Sequence, residues 1–122
     1  MLEKSVQTFR DLKVWQKAHE LVLGVYKVTK NFPPDEKFGL VAQIRRATTS
    51  IATNIVEGHK RNSRKDFLHF LNIAQGSLEE AKYLLLLSRD LNLITTDTYP
   101  KLFAQCDEVG RMLYGFQRNL RS

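Results

Sequence analysis

Four stretches of this chain repeat their apolar residues with a period near 3.6, and only short turn signals separate them. No other feature constrains the fold as tightly. The first stretch, from about Asp11 to Phe32, is stopped by Pro33-Pro34, since proline lacks the amide that a helix interior requires. The second opens at Asp35, the expected N-cap, and runs to about Gly58. Ser63-Arg64-Lys65-Asp66 has the form of a capping box and opens the third, which continues to about Asn92. The apolar phase crosses Gly76-Ser77 unchanged, so one continuous helix is expected there. Asp97 is the expected cap of the fourth, with Pro100 in the first turn, where no amide bond is lost. No stretch alternates as a strand would. The expectation is an all-α fold: an up-down-up-down antiparallel four-helix bundle, one domain over residues 1–122.

The periodicity also names the core. Trp15, Ala18, Val22, Val25 and Tyr26 are expected to line the first helix, and Val41, Ile44, Ile51 and Ile55 the second. Phe67, Phe70, Leu71, Ala74, Leu78, Ala81 and Leu85 follow on the third, then Leu102, Cys106, Val109, Leu113, Phe116 and Leu120 on the fourth. The first helix keeps its polar residues on a narrow strip, and Leu84–Leu87 points apolar groups in every direction. A helix apolar around most of its circumference calls for a second partner, so self-association is expected.

The second helix carries Ala47, Thr48, Thr49, Ser50, Thr53 and Asn54 among its isoleucines. A solvated face usually carries Glu and Lys for helix propensity. Small polar residues instead let two backbones approach and hydrogen-bond across the contact. A close helix contact is therefore expected, either within the bundle or between subunits. Thr49 and Thr53 are expected on the back of the helix.

Catalytic patterns are missing. Asp66 and His69 have a spacing that could ligate metal, but the second Glu-x-x-His and the inward carboxylates of a di-iron bundle are lacking. His19 reads as a core or interface residue. Gly58–Ser63 lacks the second glycine and the Gly-Lys-Ser/Thr ending of a phosphate loop. The one cysteine, Cys106, falls on a core stripe, where it reads as an inert small hydrophobe. It also rules out an intrachain disulfide and fits a reducing compartment. No apolar leader or membrane-length run is visible, so a cytoplasmic protein without membrane contact is expected. No metal, cofactor or enzymatic activity is expected.

Net charge is +6, and its placement is uneven. In an up-down bundle the N-terminus, the second connection and the C-terminus share one end. That end collects Lys4, Arg10, Lys13, His59, Lys60, Arg61, Arg64, Lys65, Arg118 and Arg121 against Glu3, Asp11, Glu57 and Asp66. The opposite end sets Lys30, Lys37, Arg89 and Lys101 against Asp35, Glu36, Asp90 and Asp97, near balance. A basic pole of this kind favours anionic partners, nucleic acid foremost. The run Lys60–Lys65 itself has no interleaved aromatic residue for base stacking.

Three stretches resemble a known family: FRDLKVWQKA at Phe9–Ala18, QIRRATTSIATNIVEG at Gln43–Gly58 and DFLHFLNIAQGSLEE at Asp66–Glu80. These are similar to the four helix bundle proteins encoded in intervening sequences of bacterial 23S rRNA genes. The resemblance spans nearly the whole chain, and the R-R-A-x-x-S-I-x-x-N-I-x-E-G pattern is specific. Many relatives carry proline after Ser-Ile, where this chain has Ala52. The resemblance implies an up-down bundle assembled as a homopentamer. It also implies a more distant kinship with the pentameric accessory protein of diversity-generating retroelements, which binds nucleic acid and a reverse transcriptase. Through the family motif, Arg46, Ser50, Asn54, Glu57 and Arg61 stand out first as a polar network fixing helix register or subunit packing, with Arg46 beside Ser50 and Glu57 beside Arg61, and second as part of a ligand surface.

The leading expectation is a non-enzymatic, ring-forming bundle whose basic pole contacts RNA or another structured nucleic acid. Lys60, Arg61, Arg64 and Lys65 would supply phosphate contacts, supported by Arg10, Lys13, Arg118 and Arg121. The alternative is a protein-interaction scaffold whose basic pole docks an acidic partner protein.

Overall fold

A computed structural model describes residues 8–122. They form four helices: α1 (Lys13–Thr29), α2 (Leu40–Lys60), α3 (Arg64–Asp90) and α4 (Thr98–Arg121). Short 3-10 turns at Phe9–Asp11 and Pro34–Glu36 precede α1 and α2, and no strand occurs among the described residues. The apolar side chains of all four helices meet in one buried cluster. Contacts along each neighbouring pair advance on one helix as they retreat on the other. Thr29 meets Arg45 while Trp15 shares a groove with Val56, and Ser50 meets Ser77 while Gly58 faces Phe67. Lys82 meets Asp107 while Gln75 meets Gln117, and Lys17 meets Glu108 while Gly24 faces Leu102. Each adjacent pair therefore runs antiparallel, and α4 closes back on α1.

The ends of the helices follow local chemistry. The Ser63 hydroxyl accepts the Asp66 amide at 3.1 Å, the expected N-cap of α3. That helix continues unbroken through Gly76-Ser77. It ends where Asn92 adopts a left-handed φ of 62° and the Leu93 amide reaches back to the Ser88 carbonyl at 2.9 Å, a Schellman closure. One expected cap is displaced, and another holds its position without a side-chain bond. Asp35 is spent in the 3-10 turn that reverses the chain after the prolines, so the N-cap of α2 is Gly39, with no side-chain bond. At α4 the Asp97 side chain makes no capping bond, and the Thr98 amide is held by the Thr95 hydroxyl at 3.1 Å.

The core of α1 is rotated from the expected stripe. Val14, Ala18, Leu21 and Val25 are buried, whereas Trp15 and Val22 are half-buried and Tyr26 is exposed. With apolar residues around most of the helix, periodicity alone left its phase open. The α3 stripe stands with Leu84 added, though Phe67 and Phe70 are half-buried. Leu84 and Leu85 are buried and Leu86 and Leu87 half-buried within one chain, so that segment requires no second partner. On α4 the line passes from Leu113 to Gln117, and Phe116 and Leu120 are half-buried at its edge. The Gln117 amide donates to Asn72 Oδ1 at 2.7 Å, and its oxygen accepts from Gln75 at 2.9 Å. These two bonds satisfy a buried amide that would otherwise cost stability.

The small residues of α2 mostly serve contacts within the chain. Ser50 and Ser77 hydroxyls lie 2.8 Å apart across the α2–α3 seam, and Asn54 donates to both the carbonyl and the hydroxyl of Ser50. Thr48 is fully buried with its hydroxyl bonded back to the Ile44 carbonyl at 3.0 Å, a local solution for a polar group in the core. Thr49 and Thr53 face α1 rather than the back of the helix. With Trp15, His19 and Val22 they line an apolar groove.

The α2–α3 approach is tightest at Gly58. A Cβ there would lie 2.7 Å from Phe67 Cδ1 and 3.0 Å from Phe70 Cβ, whereas one on Gly76 would meet no atom within 4 Å. Alanine at either site gains the same helix propensity, so the difference between the two variants isolates crowding. Gly58→Ala is expected to be less stable than Gly76→Ala by ~1–3 kcal/mol in urea denaturation. Equal stabilities would mean that the seam yields.

Candidate nucleic-acid interface

The antiparallel arrangement brings the start of α1, the end of α2, the start of α3 and the end of α4 to one end of the molecule. Direct contacts mark this meeting. Phe67 on α3 packs edge-on against Phe116 on α4, with ring centroids 5.2 Å apart. Leu12 and Val14 share a pocket with Phe116 and Asn119. Phe9 and Trp15 share another with Val56 of α2.

Every described residue expected to touch phosphate is at this end, and all are exposed: Arg10, Lys13, Lys60, Arg61, Arg64, Lys65, Arg118 and Arg121. Lys4 and Glu3 lie outside the described residues. Among the described residues, Lys60, Arg64 and Lys65 enter no ion pair, so their charges are not offset at close range. The carboxylates nearby are partly committed. Asp11 accepts the Thr8 amide at 3.1 Å, and Glu57 pairs with Arg61 at 3.2 Å.

Arg61 is therefore different in kind from its neighbours. Its guanidinium carbon also lies 4.7 Å from the centre of the Phe70 ring. His69 meets the same ring edge-on at 5.3 Å, and His59 meets Phe67 at 6.2 Å. Aromatic side chains thus border the basic connection, although none lies inside Lys60–Lys65. Sequence reading missed them because they lie on α3, two and five residues beyond the run.

The expected polar network on α2 is present in part. Ser50, Asn54 and the Glu57–Arg61 pair take part as expected. Arg46 does not join Ser50: it is exposed, because Ser50 spends its bonds on Ser77 and Asn54. The adjacent Arg45 takes the structural role instead. It donates to the Thr29 hydroxyl at 2.9 Å and to the Tyr26 carbonyl at 3.4 Å, and its guanidinium lies 4.3 Å from the Tyr26 ring centre. A cation at the last turn of α1 suits the partial negative charge there. The consecutive arginines gave no signal as to which would turn inward.

Away from this end, an open groove of about 440 Å³ between α3 and α4 is lined by Gln75, Glu79, Lys82, Asp107, Arg111 and Tyr114. Lys82 bridges Glu79 at 3.5 Å and Asp107 at 3.3 Å. Partial burial disfavours its charge, but the hydrogen bond to Asp107 and the attraction of both carboxylates outweigh that, and its pKa is raised. This triad ties α3 to α4, and its one positive charge is already met by two carboxylates. His19 is exposed and stacks on Trp15 at 4.9 Å rather than entering the core. Among the described residues no three His, Cys, Asp or Glu side chains group to hold a metal, and no helix is long and apolar enough to cross a membrane.

Fold and charge together define a helical protein with one polarised basic end. The chain belongs to the 23S rRNA-intervening sequence protein family, whose profile matches residues 10–115. A solved structure similar to it is a protein of unknown function from the S23 ribosomal protein family of Bacteroides thetaiotaomicron. That protein is 30% identical, with a TM-score of 0.80 over 86% of this chain and 95% of the other. No curated protein matches the chain.

Cys106 is fully buried on α4, and burial pushes its thiol up to about 12. The thiolate is the reactive form, so at pH 8 the native thiol is almost wholly protonated as well as covered. An aromatic disulfide reagent at that pH is expected to titrate Cys106 only after denaturant is added. Rapid stoichiometric reaction of the native protein would contradict this burial.

Proposed function

We propose that this chain assembles as a homopentameric ring of bundles, binds RNA through its basic end and performs no catalysis, acting in the cytoplasm. The observation that carries this reading is the grouping of Lys60, Arg64 and Lys65, exposed and without ion pairs among the described residues, with Arg10, Lys13, Arg118 and Arg121 at the same end. Such a cluster neutralises phosphates and releases their counterions. Family membership favours an RNA context over other anions. The absence of catalysis is an inference from chemistry: the cysteine is buried and protonated, and the lysine with a raised pKa is neutralised by two carboxylates.

The ring rests on the family resemblance and on α1, where Leu23 and Tyr26 remain 56% and 40% exposed. Light scattering coupled to size exclusion is expected to give a mass near five chains. A monomer of 14.1 kDa at micromolar concentration would contradict it.

Binding is tested by its salt dependence. Affinity for RNA is expected to fall linearly in log-log with salt, by ~0.7–0.9 per phosphate neutralised. Changing Lys60, Arg64 and Lys65 together to Gln is expected to flatten the slope by roughly two to three. The same change at Lys37 and Lys101, at the opposite end, is expected to leave it nearly unchanged. Equal losses from both sets would mean that only net charge matters. No binding by the native protein at low salt would favour the scaffold for an acidic protein instead.

A further inference from the structure

Among the described cations of the basic end, Arg61 is the one held in place from two sides. Glu57 accepts from its guanidinium at 3.2 Å, and Phe70 lies beneath it at 4.7 Å. Phe70 is itself fixed, since its Cβ sits against the backbone at Gly58 and its ring meets the edge of His69. Even so, the Arg61 side chain remains 45% exposed.

This arrangement suits one task better than another. A charge already shared with a carboxylate is a weak clamp for phosphate. A guanidinium over an aromatic ring and still 45% exposed can, however, offer a planar face to solvent. Planar faces of this kind stack on nucleic-acid bases, and the compact ammonium of lysine offers none. Lys60 precedes Arg61 in the chain, and Arg64 and Lys65 open the next helix, so unpaired cations flank the stacked one.

Resting on the nucleic-acid reading above, we infer that Arg61 is a stacking platform for an unpaired base, supported by Phe70 and steadied by Glu57. The RNA taken by the basic end is then single-stranded where it crosses Arg61, because duplex bases are already stacked on one another. Lys60, Arg64 and Lys65 hold the phosphates on either side, and Arg61 contributes through its plane more than through its charge.

The test separates bases from phosphates. Fluorescence anisotropy would compare a single strand of about twelve nucleotides, a length within the usual footprint of such sites, with the same strand carrying abasic sites throughout. Both present the same phosphates. Native protein is expected to bind the abasic strand about fivefold more weakly or worse, with an unchanged salt slope. Arg61→Lys, which keeps the charge, is expected to bind both strands equally, at about the affinity of native protein for the abasic strand. Phe70→Leu, which removes the ring beneath Arg61 and no charge, is expected to reduce the preference likewise. Equal binding of the two strands by native protein, still salt-dependent, would overturn the platform and leave the phosphate-binding reading standing. A preference that survives intact in Arg61→Lys would also overturn it, by moving the stacking elsewhere. No binding of either strand at low salt would remove both readings together.

Discussion

The close approach of α2 and α3 is the contact on which the rest depends. Gly58 lets Phe67 and Phe70 lie against the backbone of α2, and further along the seam two serine hydroxyls meet at 2.8 Å. Larger side chains at these positions would hold the helices apart. Because they lie so close, Arg61–Ser63 suffices to join them. That short connection compresses Lys60, Arg61, Arg64 and Lys65 into one turn of chain. The charge density of the basic end is thus a consequence of packing as well as of composition. The same contact sets Phe70 beneath Arg61, so a half-buried aromatic residue and a surface cation form one unit.

The remaining seams are fixed by fewer, more polar ties. Arg45 binds α2 to the end of α1, Gln117 binds α4 to α3 through Asn72 and Gln75, and Lys82 bridges α3 to Asp107. Exposed ion pairs such as Lys17 with Glu108 contribute little to stability, but buried amides and hydroxyls penalise any register that leaves them unpaired. Among the described residues, no buried side-chain nitrogen or oxygen lacks a partner. An apolar core tolerates small slips along a helix pair, and these polar ties do not. The consequence for function is geometric: four helix ends meet at one level, and their cations with them.

The helices were legible because their apolar period, prolines and Ser63 cap are local signals. Rotation about the helix axis was legible only where polar and apolar residues are well segregated. It held for Ile44, Ile51 and Ile55, and only in part on α1, where Ala18 and Val25 are buried as expected but Leu21 rather than Tyr26 enters the core. Asp35 and Asp97 have good cap chemistry but sit where the chain is still turning. The location of the basic end followed from topology alone. Its internal division did not. The i,i+4 pairing of Arg61 with Glu57 was legible, but its stacking depends on Phe70 arriving from the following helix, and the choice of Arg45 over Arg46 depends on Thr29. Such pairings join residues distant in sequence, which no local pattern encodes.

The central claim is that one end of the bundle, and not the surface at large, takes up nucleic acid. Lysine acetylation read by mass spectrometry, with and without bound RNA, addresses it residue by residue in the native protein. The account predicts protection of Lys13, Lys60 and Lys65, while Lys37 and Lys101 at the far end react as before. Equal protection at both ends, or protection confined to the far end, would contradict it.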